Sequence, residues 1–135
     1  MPMIMTFIAF NKASDPASPD DLRINSSAVL YVEASRPDLV GHTMIHMLGQ
    51  GSTVNAVTES IGTVVSSLSN SRGSLVAATR HYLAPPPDNG ASTVYIAPAN
   101  VSYARPNLPA SPDFWVLRFV DGSELRVVHP LPEGL

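Results

Sequence analysis

Two histidines four residues apart, His42 and His46, are the first residues in this chain whose type and spacing invite chemistry. On a strand both side chains project to one side, as two ligands of a shared zinc ion would. Zinc takes three or four convergent donors, no third donor stands beside the pair at ligand spacing, and the HExxH arrangement is absent. The pair reads as structural or surface histidines, and no metal or other cofactor is expected. Ser/His/Asp catalysis requires a serine on a strained turn or helix start next to a base. The chain has no G-x-S-x-G, and Gly49-Gln50-Gly51-Ser52 fits a hairpin turn. No Lys-Ser or Lys-Thr follows those glycines, so they do not make a phosphate loop either. Adjacent carboxylates occur as Asp20-Asp21, within a Ser/Pro/Asp stretch. General acid–base work needs a carboxyl whose surroundings shift its pKa, and a solvated loop pair lacks that. The residues therefore point away from an enzyme, and no small-molecule substrate is evident.

The seven arginines, at positions 23, 36, 72, 80, 105, 118 and 126, raise a second kind of chemistry, phosphate contact with nucleic acid. They come one at a time, and the formal net charge is −3. Because phosphate contact supplies most nucleic-acid affinity, a DNA- or RNA-binding regulator stands as the alternative reading. Charged residues make up only 14% of the chain. A surface so thin in charge is either rich in Ser and Thr or partly covered by other protein.

The chain has no cysteine, which removes disulfides, thiol catalysis and thiolate metal sites. No apolar stretch approaches the roughly 20 residues needed to span a bilayer, and the start, Met1 to Met5, lacks the basic region of a signal peptide. A single lysine, Lys12, in an Ala/Pro/Arg-tilted composition points to a GC-rich bacterial or phage genome. The expected location is the cytoplasm, or the virion if the protein is phage-encoded, with no membrane partner.

The elements that position these residues are organised by an internal repeat. Ile24-Asn25-Ser26-Ser27-Ala28-Val29-Leu30-Tyr31 aligns with Ile96-Ala97-Pro98-Ala99-Asn100-Val101-Ser102-Tyr103, sharing I-x4-V-x-Y at an offset of 72. Met44 to Leu48 then falls opposite Val116 to Val120, and Gly51 to Val54 opposite Gly122 to Leu125 after a one-residue slip. Phe7 to Phe10 pairs loosely with Thr79 to Tyr82. Repeat A spans about 3–70, with strands expected over 3–10, 29–34, 42–48 and 52–57. Repeat B spans about 74–132, with strands over 75–83, 94–96, 100–104, 114–120 and 123–129. The loop Pro85 to Gly90 cannot lie inside a sheet.

Asp121-Gly122 between two β-branched and aromatic runs predicts a two-residue type I′ hairpin. Such a turn places Trp115, Leu117, Phe119, Glu124, Arg126 and Val128 on one face, with Phe114, Val116, Arg118, Leu125, Val127 and His129 on the other. Both faces are mostly apolar, so the hairpin is expected to be covered on both sides. After repeat A, Ile61, Val64, Val65 and Leu68 form an apolar stripe at helical spacing. The helix is expected over 59–69, with Thr58 as N-cap and Asn70 to Gly73 as the stop. Pro130 and Pro132 forbid its counterpart in repeat B.

Several short runs in repeat A carry a family resemblance. Met3-Ile4-Met5-Thr6 is close to an M-I-x-L-T opening. Ile24, Asn25, Ala28, Val29, Val32 and Glu33 keep the spacing of a hydrophobic-Asn-x-x-L-I-x-x-I-E run. Pro37-Asp38, Gly51, and the ending Val57, Glu59, Ser60, Ile61, Val64 and Val65 follow in order. Over residues 3–68 the chain resembles the FlbD-type small flagellar and swarming accessory proteins. The resemblance implies a small β-sheet capped by a helix, with no catalysis and no defined ligand. The chain departs from that family in its duplication, its longer loops and its lack of the family's usual lysines.

Together these features predict a mainly β (α+β) chain forming one domain over 1–135. The domain is an internally duplicated antiparallel unit closed as a sandwich or barrel, with one helix after the first copy. The expected role is non-catalytic assembly, through self-association or a protein partner, as a motility-associated factor or a phage particle component. Trp115, Leu117, Phe119 and Val128 are the expected contact face.

Overall fold

The computed structural model describes residues 7–10, 22–34, 43–49, 54–81 and 93–135. His42, Asp20-Asp21, Gln50 to Ser52, Arg36, and the expected loop over Pro85 to Gly90 lie outside them, as do Met3 to Thr6 and Pro37-Asp38. Ten strands and one α-helix follow in the order β1 (Phe7–Phe10), β2 (Leu22–Asn25), β3 (Val29–Ala34), β4 (Thr43–Met47), β5 (Val54–Val57), α1 (Ile61–Arg72), β6 (Val76–Thr79), β7 (Thr93–Ile96), β8 (Val101–Pro106), β9 (Phe114–Phe119) and β10 (Glu124–Val128). One-turn 3₁₀ helices, Ser26–Ala28 and Pro98–Asn100, lead into β3 and β8. The chain is mainly β, and its strands form three antiparallel sheets: β1-β2, β10-β9-β8 and β5-β4-β3-β7-β6. None of them closes on itself, so of the two expected forms, sandwich or barrel, the barrel is not formed. Among the described residues sheet edges meet locally, where Arg80 bridges Val127 and the His81 N–H donates to the Arg126 carbonyl. Among the described residues no helix is long and apolar enough to cross a membrane.

The offset of 72 reappears in the strand registers. In the β3–β4 pair Tyr31 faces His46 and Ala34 faces Thr43, with a bulge between Val29 and Tyr31. In the β8–β9 pair Tyr103 faces Arg118 and Pro106 faces Trp115, with a bulge between Val101 and Tyr103. Adding 72 to each number of the first pair gives the second, bulge included. The Leu48 N–H donates to the Ala28 carbonyl, and 72 residues on the Val120 N–H donates to that of Asn100. The flanks correspond less closely. Val57 faces Thr43 while Val127 faces Trp115, so β5 and β10 are offset by 70, a slip of two residues and not one. Ile8 faces Ile24 while Val76 faces Ile96, so β1 matches Leu75 to Ala78 and not Thr79 to Tyr82. Extra residues in the β4–β5 turn and the β6–β7 loop absorb both differences.

Two buried clusters hold these sheets. Val32, Ile45 and Val57 present one face of the five-stranded sheet to Val64 and Leu68 of α1 and to Phe10 and Ile24 of the β1–β2 hairpin. Tyr31, Val94, Ile96 and Ala78 pack from the same large sheet against Leu117, Phe119, Leu125 and Val127 of the three-stranded sheet. No helix follows β10, and Leu131 and Leu135 pack against the second cluster instead. The helix itself starts later than the sequence pattern indicates. Ser60, not Thr58, is the N-cap, its Oγ accepting from the Thr63 N–H at 3.3 Å, while Gly73 at φ 107° ends the helix. The serine wins because Thr43 Oγ1 donates to the Glu59 carbonyl, which keeps that residue in the connection before the helix.

The β9–β10 turn differs from the expected two-residue form. The Gly122 N–H donates to the Phe119 carbonyl, the Phe119 N–H donates to the Ser123 carbonyl, and Gly122 stands at φ 91°. This is a three-residue loop, a type I turn completed by a glycine bulge. The Asp121 carboxylate favours it by accepting from the Ser123 N–H at 3.0 Å and the Ser123 hydroxyl at 2.6 Å. The additional loop residue moves every side chain of β10 to the opposite face from the one the sequence implied.

Candidate interaction surfaces

The register settles where the expected contact face goes. Leu125 faces Leu117 and Val127 faces Trp115, while Val128 faces Phe114. Leu117 and Phe119 are fully buried in the second cluster, and Trp115 packs partly against it, donating Nε1–H to His129 Nδ1 at 3.0 Å. Val128 is exposed on the other side of the sheet. The four residues therefore do not share a face, and two of them are core. The difference of one residue in turn length is what placed Val128 with the three β9 residues.

His46 belongs to a polar cluster. Its Nε2 lies 2.7 Å from Glu33 Oε1, and Arg80 Nη1 donates to both Glu33 oxygens at 2.9 Å. The imidazole stacks on Tyr31 with ring centroids 4.0 Å apart, and the Arg80 guanidinium lies 6.0 Å from the same ring. Adjacent strands place these groups: Tyr31 and Glu33 alternate along β3, His46 sits opposite on β4, and Arg80 follows β6 from the other half. Burial is the largest influence on the Glu33 carboxyl and opposes its charge. The hydrogen bonds and charges of His46 and Arg80 outweigh it and hold the pKa below the usual glutamate value. The arrangement ties the two halves together, with its carboxylate occupied from both sides. Among the described residues no group of three or more His, Asp or Glu is placed to hold a metal ion.

Compared with protein-family models, with curated proteins and with solved structures, the chain matches none.

Two surfaces remain. The first lies at the hairpin tips, where the Gly49 N–H donates to Asp121 Oδ2 at 2.8 Å and joins the β4–β5 turn to the β9–β10 turn. Desolvation is the largest single influence on the Asp121 carboxyl and raises its pKa, but the bonds from Ser123 and Gly49 together prevail and lower it. Immediately before these residues stand Leu48, 40% exposed, and Val120, 53% exposed, which correspond at the offset of 72. The second is the outer face of the three-stranded sheet. Facing pairs Tyr103–Arg118, Arg105–Val116, Glu124–Arg118, Arg126–Val116 and Val128–Phe114 put three arginines and two aromatics on one side. Glu124 answers two of these arginines, at 3.4 Å from Arg118 and 4.0 Å from Arg105, while Arg126 lies over the Phe114 ring. Arginines scattered in sequence are thus gathered in space, which strand register alone could have revealed. Arg80 is engaged with Glu33, and Arg23 is exposed on β2.

Proposed function

We propose that this chain is a non-catalytic assembly protein that works by associating with copies of itself or with a protein partner. The observation carrying this reading is the pair of exposed apolar residues Leu48 and Val120, each next in sequence to a residue of the Gly49–Asp121 bond that joins the two turns. Large apolar side chains exposed next to a braced position are the kind of surface that interfaces use. The shared β3–β4 and β8–β9 registers support an origin by internal duplication. The FlbD-type resemblance of residues 3–68 supports a motility-associated role, and a particle component is equally compatible with the surface.

The test is the solution mass by light scattering over a range of concentrations. The expected result is a discrete oligomer above the 14.4 kDa chain. Replacing Leu48 and Val120 with serine should weaken association by about tenfold or more, given roughly 1.5–3 kcal/mol per fully buried aliphatic side chain. A monomer at all concentrations, binding no partner, overturns the reading.

A second reading rests on the outer sheet face. Arg105, Arg118 and Arg126 beside Tyr103 and Phe114 supply both the charge and the stacking surfaces that single-stranded nucleic acid engages. Glu124 and the net charge of −3 weigh against it. Anisotropy with a labelled single-stranded oligonucleotide at low salt decides the matter, and no binding there removes this alternative.

A further inference from the structure

The strand registers identify a specific site for association, which rests on the assembly reading above. In the large sheet β3 is flanked on both sides, by β4 and by β7. Among the described residues its counterpart β8 is flanked by β9 alone, and β2, the counterpart of β7, is flanked by β1 alone. Two unfilled edges on one chain are therefore the equivalents of two edges that are already joined elsewhere in it. We infer that the free edge of β8 receives β2 of a second copy of this chain, in the register that β7 adopts on β3.

That register can be written down. β7 lies antiparallel to β3 with Tyr31 facing Ile96, Val32 facing Tyr95 and Glu33 facing Val94. Adding 72 on the β3 side and subtracting 72 on the β7 side gives Tyr103 facing Ile24, Ala104 facing Arg23 and Arg105 facing Leu22. Arg23 then opposes an alanine, so the two strands' arginines do not meet head-on.

The backbone groups point the right way. The Asn107 N–H donates to the Phe114 carbonyl, so alternate residues of β8 back from Asn107 turn their N–H and C=O groups to β9. Ala104 therefore turns its N–H and C=O to the open edge, while the bulge between Val101 and Tyr103 interrupts the alternation before Ser102. On the joined side Leu30, the counterpart of Ser102, accepts from the Ala97 N–H at 2.9 Å. The side chains leave room: Tyr103 is 46% exposed and Ser102 and Arg105 are exposed.

The chain's own β2 does not take this edge. On the β3–β7 side the junction between the halves is a main-chain bond, from the Ala97 N–H to the Leu30 carbonyl. On the β2–β8 side the Asn100 side chain spans the junction, donating to the Ser27 carbonyl at 2.9 Å and the Val29 carbonyl at 2.8 Å. Copy A has Ala28 at the place of Asn100, so nothing equivalent interposes where β7 joins β3.

Because the chain has no cysteine, the site can be tested by introduced disulfides. Ala104→Cys and Arg23→Cys would be directly opposed, within the Cα separation of about 4.4–6.8 Å that a disulfide needs. The two single variants are mixed and oxidised, the double variant is oxidised alone, and the masses are read without reductant. The expected result is an Ala104→Cys to Arg23→Cys linked pair at twice the 14.4 kDa chain mass, forming well above the level of either variant alone. A link confined to single chains of the double variant would show that the chain's own hairpin fills the edge, and overturns the inference. An oligomer by light scattering that yields no such link also overturns it, while leaving the assembly reading in place. A monomer with no link defeats both.

A second variant approaches the edge from the other direction. Ala104→Pro removes an N–H that the chain's own sheet does not use, next to a Pro106 that the strand already carries. Association should fall at least tenfold with the circular dichroism unchanged. Association equal to that of the unaltered chain in a folded Ala104→Pro variant overturns the inference.

Discussion

At the residue scale the Glu33 carboxylate is the most consequential polar group described. It is nearly sealed from solvent, with a side chain 7% exposed, and carries bonds from His46 on its own half and Arg80 on the other. Breaking a buried pair by removing one partner costs more than the pair contributes, because the remaining groups keep the burial penalty. Glu33→Ala is expected to destabilise the chain by about 3 kcal/mol, measured by urea unfolding. The depressed Glu33 pKa also gives a pH dependence. A group whose folded pKa lies below its unfolded value contributes stability above the unfolded value, and loses it as pH falls through the folded one. Acidification from neutral pH through and below the usual carboxylate range should therefore cost the unaltered chain stability that Glu33→Gln does not lose. Parallel acid-dependent unfolding curves for the two would contradict this. None of the cluster could be assembled from spacing. Glu33 and Arg80 are 47 residues apart and meet only because β6 and β7 extend the sheet begun by β3, so in the sequence His46 could be weighed only beside His42.

At the element scale the β9–β10 turn shows how one residue of loop length governs a surface. Asp-Gly between strand-forming runs marks a hairpin whichever loop is adopted, and the sequence signal for the element was sound. Nothing in those two residues distinguishes a two-residue from a three-residue loop. The choice falls to Asp121, whose carboxylate binds Ser123 and the distant Gly49 N–H. Gly122 at φ 91° occupies a conformation that a Cβ disfavours, although such a Cβ would meet the Arg118 Nη2 only at an ordinary contact distance of 3.7 Å. Gly122→Ala should cost about 1–2 kcal/mol from backbone strain alone, read as a lowered urea midpoint with unchanged slope. The helix was legible from Ile61, Val64 and Leu68, and its cap was misplaced because Thr58 and Ser60 are both suitable by type. β2 was not expected as a strand at all: four residues, one of them Arg23, next to a Ser/Pro/Asp loop carry little strand signal. Its alignment with 94–96, where a strand was expected, was the available indication.

At the scale of the whole molecule the repeat was readable because its central strands keep their spacing: β3 to β4 and β8 to β9 carry the same bulge at the same place. Closure was not readable, since pattern fixes which face of a strand is buried but not whether a distant edge will meet another. The second core cluster receives Leu131 and Leu135 where the first receives α1. Replacing both leucines with alanine should lower stability by about 2–4 kcal/mol, counting partly buried side chains at the low end of core truncations. A loss below half a kilocalorie in chemical unfolding would show that the tail is not a cover. These two closures, a helix on one half and a short tail on the other, make the halves unlike despite their common strand plan. A body built of two identical halves looks the same when turned over. This one does not, so a neighbour reading its surface can distinguish one end from the other, and whatever it joins acquires a direction.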